Sequence, residues 1–182
     1  MTMRRGPPLQ TEWPTIDLGE TRDAAFAQRI LALAAAAPKV ARYRDLLRGA
    51  DIIYARNLDM LALAGWAKKG SGSSARLVYE CLDVHRFMTR EDALGAAMRS
   101  VERALLKDVA LVVVSSPGFV REYFDKRQPG RARTHLIENR LPDGFDYGPR
   151  RSATPPPEAG PLRIGWFGNL RCRRSLDLLR AL

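Results

Sequence analysis

The chain has 182 residues, 46% of them hydrophobic, which is enough for a real core and argues against wholesale disorder. Thirty Lys and Arg against 20 Asp and Glu give a net charge of +10, a field that attracts nucleic acid, phospholipid headgroups or a nucleotide diphosphate alike. No apolar run approaches the ~20 residues of a membrane span, the basic start at Met1–Pro8 does not read as a signal peptide, and Cys81 and Cys172 stand too isolated for a zinc motif or a disulfide framework.

Residues 1–20 read as a Pro-rich, irregular segment with one short candidate strand over 14–18. A helix is predicted from Thr21, as N-cap, to Ala37, in a stretch dominated by Ala, Leu, Gln and Arg. Pro38 is expected to interrupt it, and a second helix from Val40 to Leu47 to stop at Gly49. The pattern then alternates. Strands are predicted over 51–55, 76–80, 110–115 and 134–138, with helices over 58–68, 91–106 and 118–126. Pro117 opens the last helix, where a missing N–H costs nothing. Short, nearly wholly apolar strands separated by helices predict an α/β domain over 21–141, its mostly parallel sheet doubly wound and Rossmann-like.

Composition changes after that. Leu141 to Pro161 holds six prolines and three glycines without periodicity, so 142–161 is read as an interdomain linker. Leu162 to Gly168 reads as a strand and Arg173 to Leu182 as a helix. These 21 residues cannot bury a core of their own and are expected to begin a second, incomplete Rossmann-like domain.

Ligands of open parallel sheets sit beyond the carboxyl ends of the strands. That edge is expected to carry Arg56, Asn57 and Asp59, then Glu80, Asp83 and His85, then Ser115 and Ser116, then Asn139 and Arg140. Asp59 also suits a helix-solvating role, and Ser116 before Pro117 reads as an N-cap. Glu80 and Asp83 are close enough in sequence to raise the pKa of His85 and orient its ring for acid–base or substrate-orienting work, the other reading being a structural surface histidine, whereas His135 lies inside a strand and reads as structural. Their spacing is not a metal set, and no metal is expected. After the linker, Gly168 ends a strand, the backbone turns, and Arg171, Arg173 and Arg174 precede a helix. Main-chain N–H groups and arginine forks can meet an anion there. Neither the dinucleotide fingerprint nor a P-loop is present, and the local chemistry alone suits a nucleotide-phosphate grip and an ordinary basic loop equally.

Several stretches taken together carry a family resemblance: Asp51-Ile52-Ile53-Tyr54-Ala55-Arg56-Asn57-Leu58-Asp59, Leu77-Val78-Tyr79-Glu80-Cys81-Leu82-Asp83, Val114-Ser115-Ser116-Pro117-Gly118-Phe119, Ile137-Glu138-Asn139-Arg140-Leu141-Pro142, and Ile164-Gly165-Trp166-Phe167-Gly168-Asn169-Leu170 with Ser175 to Leu179. In this order, over residues 50–182, the chain resembles the retaining glycosyltransferases of the GT-B fold, in the large group called family 4. The resemblance implies a two-domain enzyme that binds its acceptor mainly with the first domain and a nucleotide-sugar with the second. It implies no required metal and no bound cofactor, the nucleotide-sugar being a co-substrate. Work at the cytoplasmic face of the membrane, on lipid-linked or polysaccharide acceptors, is also implied. It makes His85 and Asp83 the catalytic candidates, Asn57 and Glu80 acceptor-binding, and Gly168, Arg171 and Arg174 donor-phosphate-binding. Two positions depart from the family pattern: Asn169 stands where an arginine is usual, and Leu82 where a histidine precedes the aspartate. Arg174 matches the usual lysine. The family's opening strand with its glycine-containing loop has no counterpart in residues 1–20, and the later Glu-x7-Glu element is not reached. The expectation is a partial transferase, inactive alone.

Two other classes compete. One is a non-catalytic interaction protein or anionic-membrane adaptor derived from a transferase domain, which would show salt-sensitive vesicle binding without nucleotide-sugar binding. The other is a nucleic-acid-binding domain. All but five of the basic residues are arginine, a bias that genomic composition can produce. With no zinc-finger spacing and no RNP-like aromatic strand, nucleic acid is disfavoured as a partner.

Overall fold

A computed structural model of the chain describes residues 1–4, 6–7, 11–21, 26–130, 132–140, 144, 177 and 180. It divides the chain into two units, Met1–Arg140 and Leu141–Leu182. The linker expected over 142–161, Gly144 excepted, and the strand expected over 162–168 lie outside the described residues.

In chain order the first unit holds β1 (Thr2–Arg4), β2 (Asp17–Glu20), α1 (Phe26–Ala41), α2 (Arg44–Arg48), β3 (Ile52–Arg56), α3 (Asn57–Ser71), β4 (Arg76–Cys81), α4 (Ala93–Leu106), β5 (Val109–Val114), a π-helix (Phe119–Phe124), α5 (Asp125–Arg127) and β6 (Thr134–Leu136). β3, β4, β5 and β6 pair in that order, every pair parallel, with Ala55 beside Tyr79, Tyr79 beside Val112 and Val112 beside Thr134. This is the parallel, helix-flanked sheet of a doubly wound, Rossmann-like domain, as the alternation predicts. β1 and β2 form a separate parallel pair.

Side chains alternate across the sheet. Ala55, Leu77, Tyr79, Cys81, Val112 and Val114 form one buried face, closed by Leu61 of α3, Leu106 of α4, and Tyr123 and Phe124 of the π-helix. At about 25 cal/mol per Å² of apolar surface, each large side chain buried there stabilises the fold by roughly 1.5–3 kcal/mol. The opposite face is barer, with Ile52 60% and Tyr54 54% exposed. A second cluster joins Leu18 of β2, Ala36 and Val40 of α1, and Leu63 and Ala67 of α3. It fixes the β1–β2 pair beside the main sheet through helix contacts.

Three local readings change. Pro38 does not end α1, which continues to Ala41. Pro38 and Ala34 are both exposed, so the Ala34 carbonyl that Pro38 cannot serve reaches water, while buried Ala36 and Val40 hold the helix on either side. Residues 2–4, read as irregular, form β1; Arg4 Nε donates to Asp17 Oδ2 at 2.8 Å across the pair. The helix expected over 118–126 is mostly π-helical, which brings the adjacent Tyr123 and Phe124 into one core. Ser116 Oγ accepts from the Gly118 N–H at 3.2 Å, the capping role expected of it.

Behind the buried face lies a polar cluster. Glu102 of α4 is 2% exposed and accepts from the Tyr123 hydroxyl and from Gln128 Nε2 at 2.9 Å. Gln128 in turn donates to the Arg99 carbonyl at 3.0 Å and accepts from Arg103 Nε at 3.1 Å. Burial raises the Glu102 pKa even so, and pushes the buried Cys81 thiol up to about 12.

Gly95 lies in the first turn of α4, where the N-cap Asp92 accepts its N–H through Oδ1 at 3.0 Å, and a Cβ there would lie 2.2 Å from the Arg90 carbonyl oxygen. Gly95→Ala is therefore expected to destabilise the chain by about 1–3 kcal/mol in urea unfolding. Glu102 supplies a second test. Its folded pKa is raised above the ordinary 4.5, so the stability its proton confers is full below pH 4.5 and is lost as pH rises through the folded value. Relative to wild type, the urea midpoint of Glu102→Gln is expected to climb from pH 4.5 upward, and a flat difference across that window would refute the assignment.

Candidate functional site

Because the sheet is parallel, Arg56, Cys81, Val114 and Leu136 end their strands at one edge. A groove of about 790 Å³ runs along β3 towards that edge. Met1 to Met3 of the β1 segment and Ile52 to Arg56 of β3 line it, together with the apolar Val40, Met60, Leu63, Ala64 and Ala67. At the carboxyl end of β3 the lining turns polar, with Arg29, Asn57 and Asp59 beside Leu82.

Asn57 is the most constrained of these residues. Its φ is +68°, in the left-handed region, the one such non-glycine residue among those described. Asparagine tolerates that region at a cost of roughly 1–2 kcal/mol. Its Oδ1 is buried and has no hydrogen-bond partner. An orphaned buried acceptor costs about 1–3 kcal/mol, and strain coinciding with an unmet polar atom is a mark of a binding position. A ligand hydroxyl or N–H would satisfy it.

Arg29 of α1 pairs with Asp59 of α3 at the same end of the groove, both side chains half-buried. This bond ties the first turn of α3 to α1. His85, in the loop after β4, is also half-buried; its Nδ1 accepts from the Phe87 N–H at 3.3 Å, and its ring meets the Phe87 ring edge-on at 4.9 Å between centroids. Burial, then Arg29 and Arg86, lower its pKa, outweighing the opposing pull of Asp83 and Asp59. That corrects the expected direction. The imidazole is held neutral near pH 7 and suits accepting a proton or a hydrogen bond.

The sequence candidates are only partly brought together. Asn57 faces the groove, and Asp83 and Asp59 act electrostatically on His85. Glu80 does not line the groove: strand alternation puts it on the barer sheet face, its Oε2 3.4 Å from Arg56 Nε, and it raises the pKa of Tyr54 there after burial itself. Asp83 is exposed, and its carbonyl accepts the Cys81 thiol at 3.7 Å. Gly168, Arg171 and Arg174 lie outside the described residues. Arg29 was missed: it sits 30 residues from Asp59 on an Ala-rich helix, with no motif around it. Among the described residues, no three His, Cys, Asp or Glu side chains group to hold a metal, and no helix is long and apolar enough to cross a membrane.

Over 167 residues, or 90% of its length, the chain is 46% identical to the succinoglycan biosynthesis protein ExoL of Rhizobium meliloti (strain 1021), of which it spans 41%. No family model matches the chain. No solved structure matches it either.

The electrostatic assignment around His85 can be checked directly. Arg29→Ala removes a cation that opposes protonation, so the imidazole pKa, read by NMR titration of the ring proton, is expected to rise towards the ordinary 6.5. An unchanged titration would separate Arg29 from His85.

Proposed function

We propose that the chain is the acceptor-side part, with the start of the donor side, of a GT-B glycosyltransferase that works in polysaccharide assembly. The observation that carries this reading is the 46% identity, over 167 residues, to a protein of succinoglycan biosynthesis. The parallel sheet edge with its polar groove end is the kind of place where such a fold binds small ligands. The reaction joins an acceptor hydroxyl to the anomeric carbon of a nucleotide-sugar; the bond to the diphosphate breaks and the hydroxyl proton leaves.

In this reading Asn57 Oδ1 accepts a hydrogen bond from the acceptor, which supplies the partner that atom lacks. His85, uncharged near pH 7, orients the reacting hydroxyl, and Asp83 tunes the imidazole from the solvent side. The Arg29–Asp59 pair holds the first turn of α3, and with it Asn57, against α1. Glu80 acts on the acceptor side through Arg56, its ion-pair partner at the end of β3. The donor diphosphate falls to Gly168, Arg171 and Arg174, where cationic forks and main-chain N–H groups stabilise the charge that develops as the bond breaks. The nucleotide-sugar is a co-substrate, no metal is required, and the acceptor is lipid-linked or polysaccharide. The protein works in the cytoplasm at the inner face of the membrane, where the +10 charge favours anionic lipid.

A chimera tests this. The matched 167 residues replace their counterparts in the Rhizobium meliloti protein, and succinoglycan is measured in a strain lacking that protein. Polymer is expected to return, and Asn57→Ala and His85→Ala in the chimera are each expected to cut output about three- to tenfold, the loss of a neutral hydrogen bond worth roughly 0.5–1.5 kcal/mol. A well-expressed chimera that makes no polymer would overturn the functional reading. Undiminished output from both variants would overturn the site.

A further inference from the structure

The loop that carries His85 is a turn closed twice. The Met88 N–H donates to the His85 carbonyl at 2.7 Å, which folds the backbone back over Arg86 and Phe87. Inside that turn the His85 side chain makes the second closure, its Nδ1 accepting from the Phe87 N–H at 3.3 Å. The Arg86 guanidinium lies over the Phe87 ring, 5.2 Å from its centroid, and that ring meets the imidazole edge-on. Met88, 2% exposed, belongs to the main core, so burial fixes the far end of the turn.

A neutral imidazole donates from one ring nitrogen and accepts at the other, and the bond made by one settles which carries the proton. Because Nδ1 accepts from a backbone amide, the proton stands on Nε2. Moving it to Nδ1 would set it against the Phe87 N–H and break the second closure.

Two residues one turn apart on α4 receive this loop. At Gly95 the Arg90 carbonyl comes so close that no Cβ could stand there. Four residues on, Arg99 Nη1 donates to that same carbonyl, and to the Met88 carbonyl at 3.0 Å. Met88 is thereby bonded on both sides, its N–H to His85 and its carbonyl to Arg99.

We propose that Arg99 is a positioning residue for His85. By holding the Met88 and Arg90 carbonyls it keeps the turn closed, and the closed turn keeps the imidazole in its Nε2–H form. At Nε2 the ring then meets a substrate oxygen as a hydrogen-bond donor. That donor role rests on sugar transfer as proposed above, whereas the tautomer and its dependence on Arg99 do not and are read without activity.

Long-range proton–nitrogen NMR spectra at about pH 8, well above the ordinary 6.5 of histidine, test both. His85 is expected to carry its proton on Nε2, with a scalar coupling between Nδ1 and the Phe87 amide nitrogen. Arg99→Met keeps the stem and removes the guanidinium. It is expected to abolish the coupling and to speed Phe87 amide exchange at least about tenfold. Arg99→Gln keeps an N–H donor and, as the milder variant, is expected to shift both readings the same way by less. Arg103→Met is the control. Arg103 lies one turn further along α4 and donates to Gln128 and to the Arg127 carbonyl, so its loss is expected to loosen the helix and leave His85 unchanged. In the chimera, His85→Gln sets an amide N–H near the place of Nε2 and is expected to keep about half or more of the wild-type output. A wild-type proton on Nδ1 would overturn the tautomer. Coupling that survives intact in the folded Arg99 variants, or is lost equally in Arg103→Met, would remove Arg99 from the role. Output from His85→Gln as low as from His85→Ala would make the ring a base and exclude the donor.

Discussion

Because β3, β4, β5 and β6 run parallel, the chain must return to the amino edge of the sheet before each new strand can begin, and only a crossover of about a dozen residues or more achieves that. Most of the architecture follows. The returning segments are α3, α4 and the π-helix with α5, and they cover the face of Leu77, Tyr79, Cys81, Val112 and Val114, while Leu63 and Ala67 on another side of α3 meet α1 and β2. The same constraint gathers every strand's carboxyl end at one edge, so residues far apart in sequence, such as Asn57 and His85, come to share a neighbourhood without any local motif. Chemistry at that edge is a by-product of how the sheet is wired.

The buried face also contains a carboxylate, which at first sight is a poor choice. Each charge-assisted hydrogen bond to Glu102 is worth roughly 1.5–3 kcal/mol, yet removing a carboxylate from water costs several kcal/mol even after relaxation. The upward pKa shows which effect is larger: burial outweighs the donors, Tyr123 first among them. What the cluster provides is geometry. Gln128 and Tyr123 follow or lie within the π-helix, and Glu102 lies on α4, so the network fastens two crossovers that apolar packing alone would leave free to slide. The π-helix itself gives no warning of its irregularity in sequence.

Strands of the four-stranded sheet were legible to within a residue or two, because Val109–Val114 and Arg76–Cys81 announce themselves by apolar, β-branched runs bounded by turn residues. The short strand read over 14–18 lies instead at Asp17–Glu20. α4 was equally plain, with Asp92 capping its start. Features fixed by distant partners were not. β1 is three residues long and exists through its ladder with β2 and the Arg4–Asp17 bridge, neither of which has periodicity. Pro38 was read by its local rule, and tertiary burial of Ala36 and Val40 won. At the candidate site, Asn57 was singled out by its place after β3, but its positive φ and its stranded oxygen belong to three dimensions. That Glu80 stands away from the groove was not legible, because sequence proximity to His85 says nothing about which face of the strand a side chain takes.

Cys81 connects these themes to measurement. Its sulfur sits at the carboxyl end of β4, 1% exposed, between the strands that the crossovers hold together, and burial keeps it a thiol rather than a thiolate. Alkylating reagents attack the thiolate, so a closed sheet leaves this cysteine inert. Each time β4 comes loose the sulfur becomes an ordinary, reactive one. Nature has therefore placed a chemical clock inside the domain, and the rate at which it is labelled reports how often the sheet breathes.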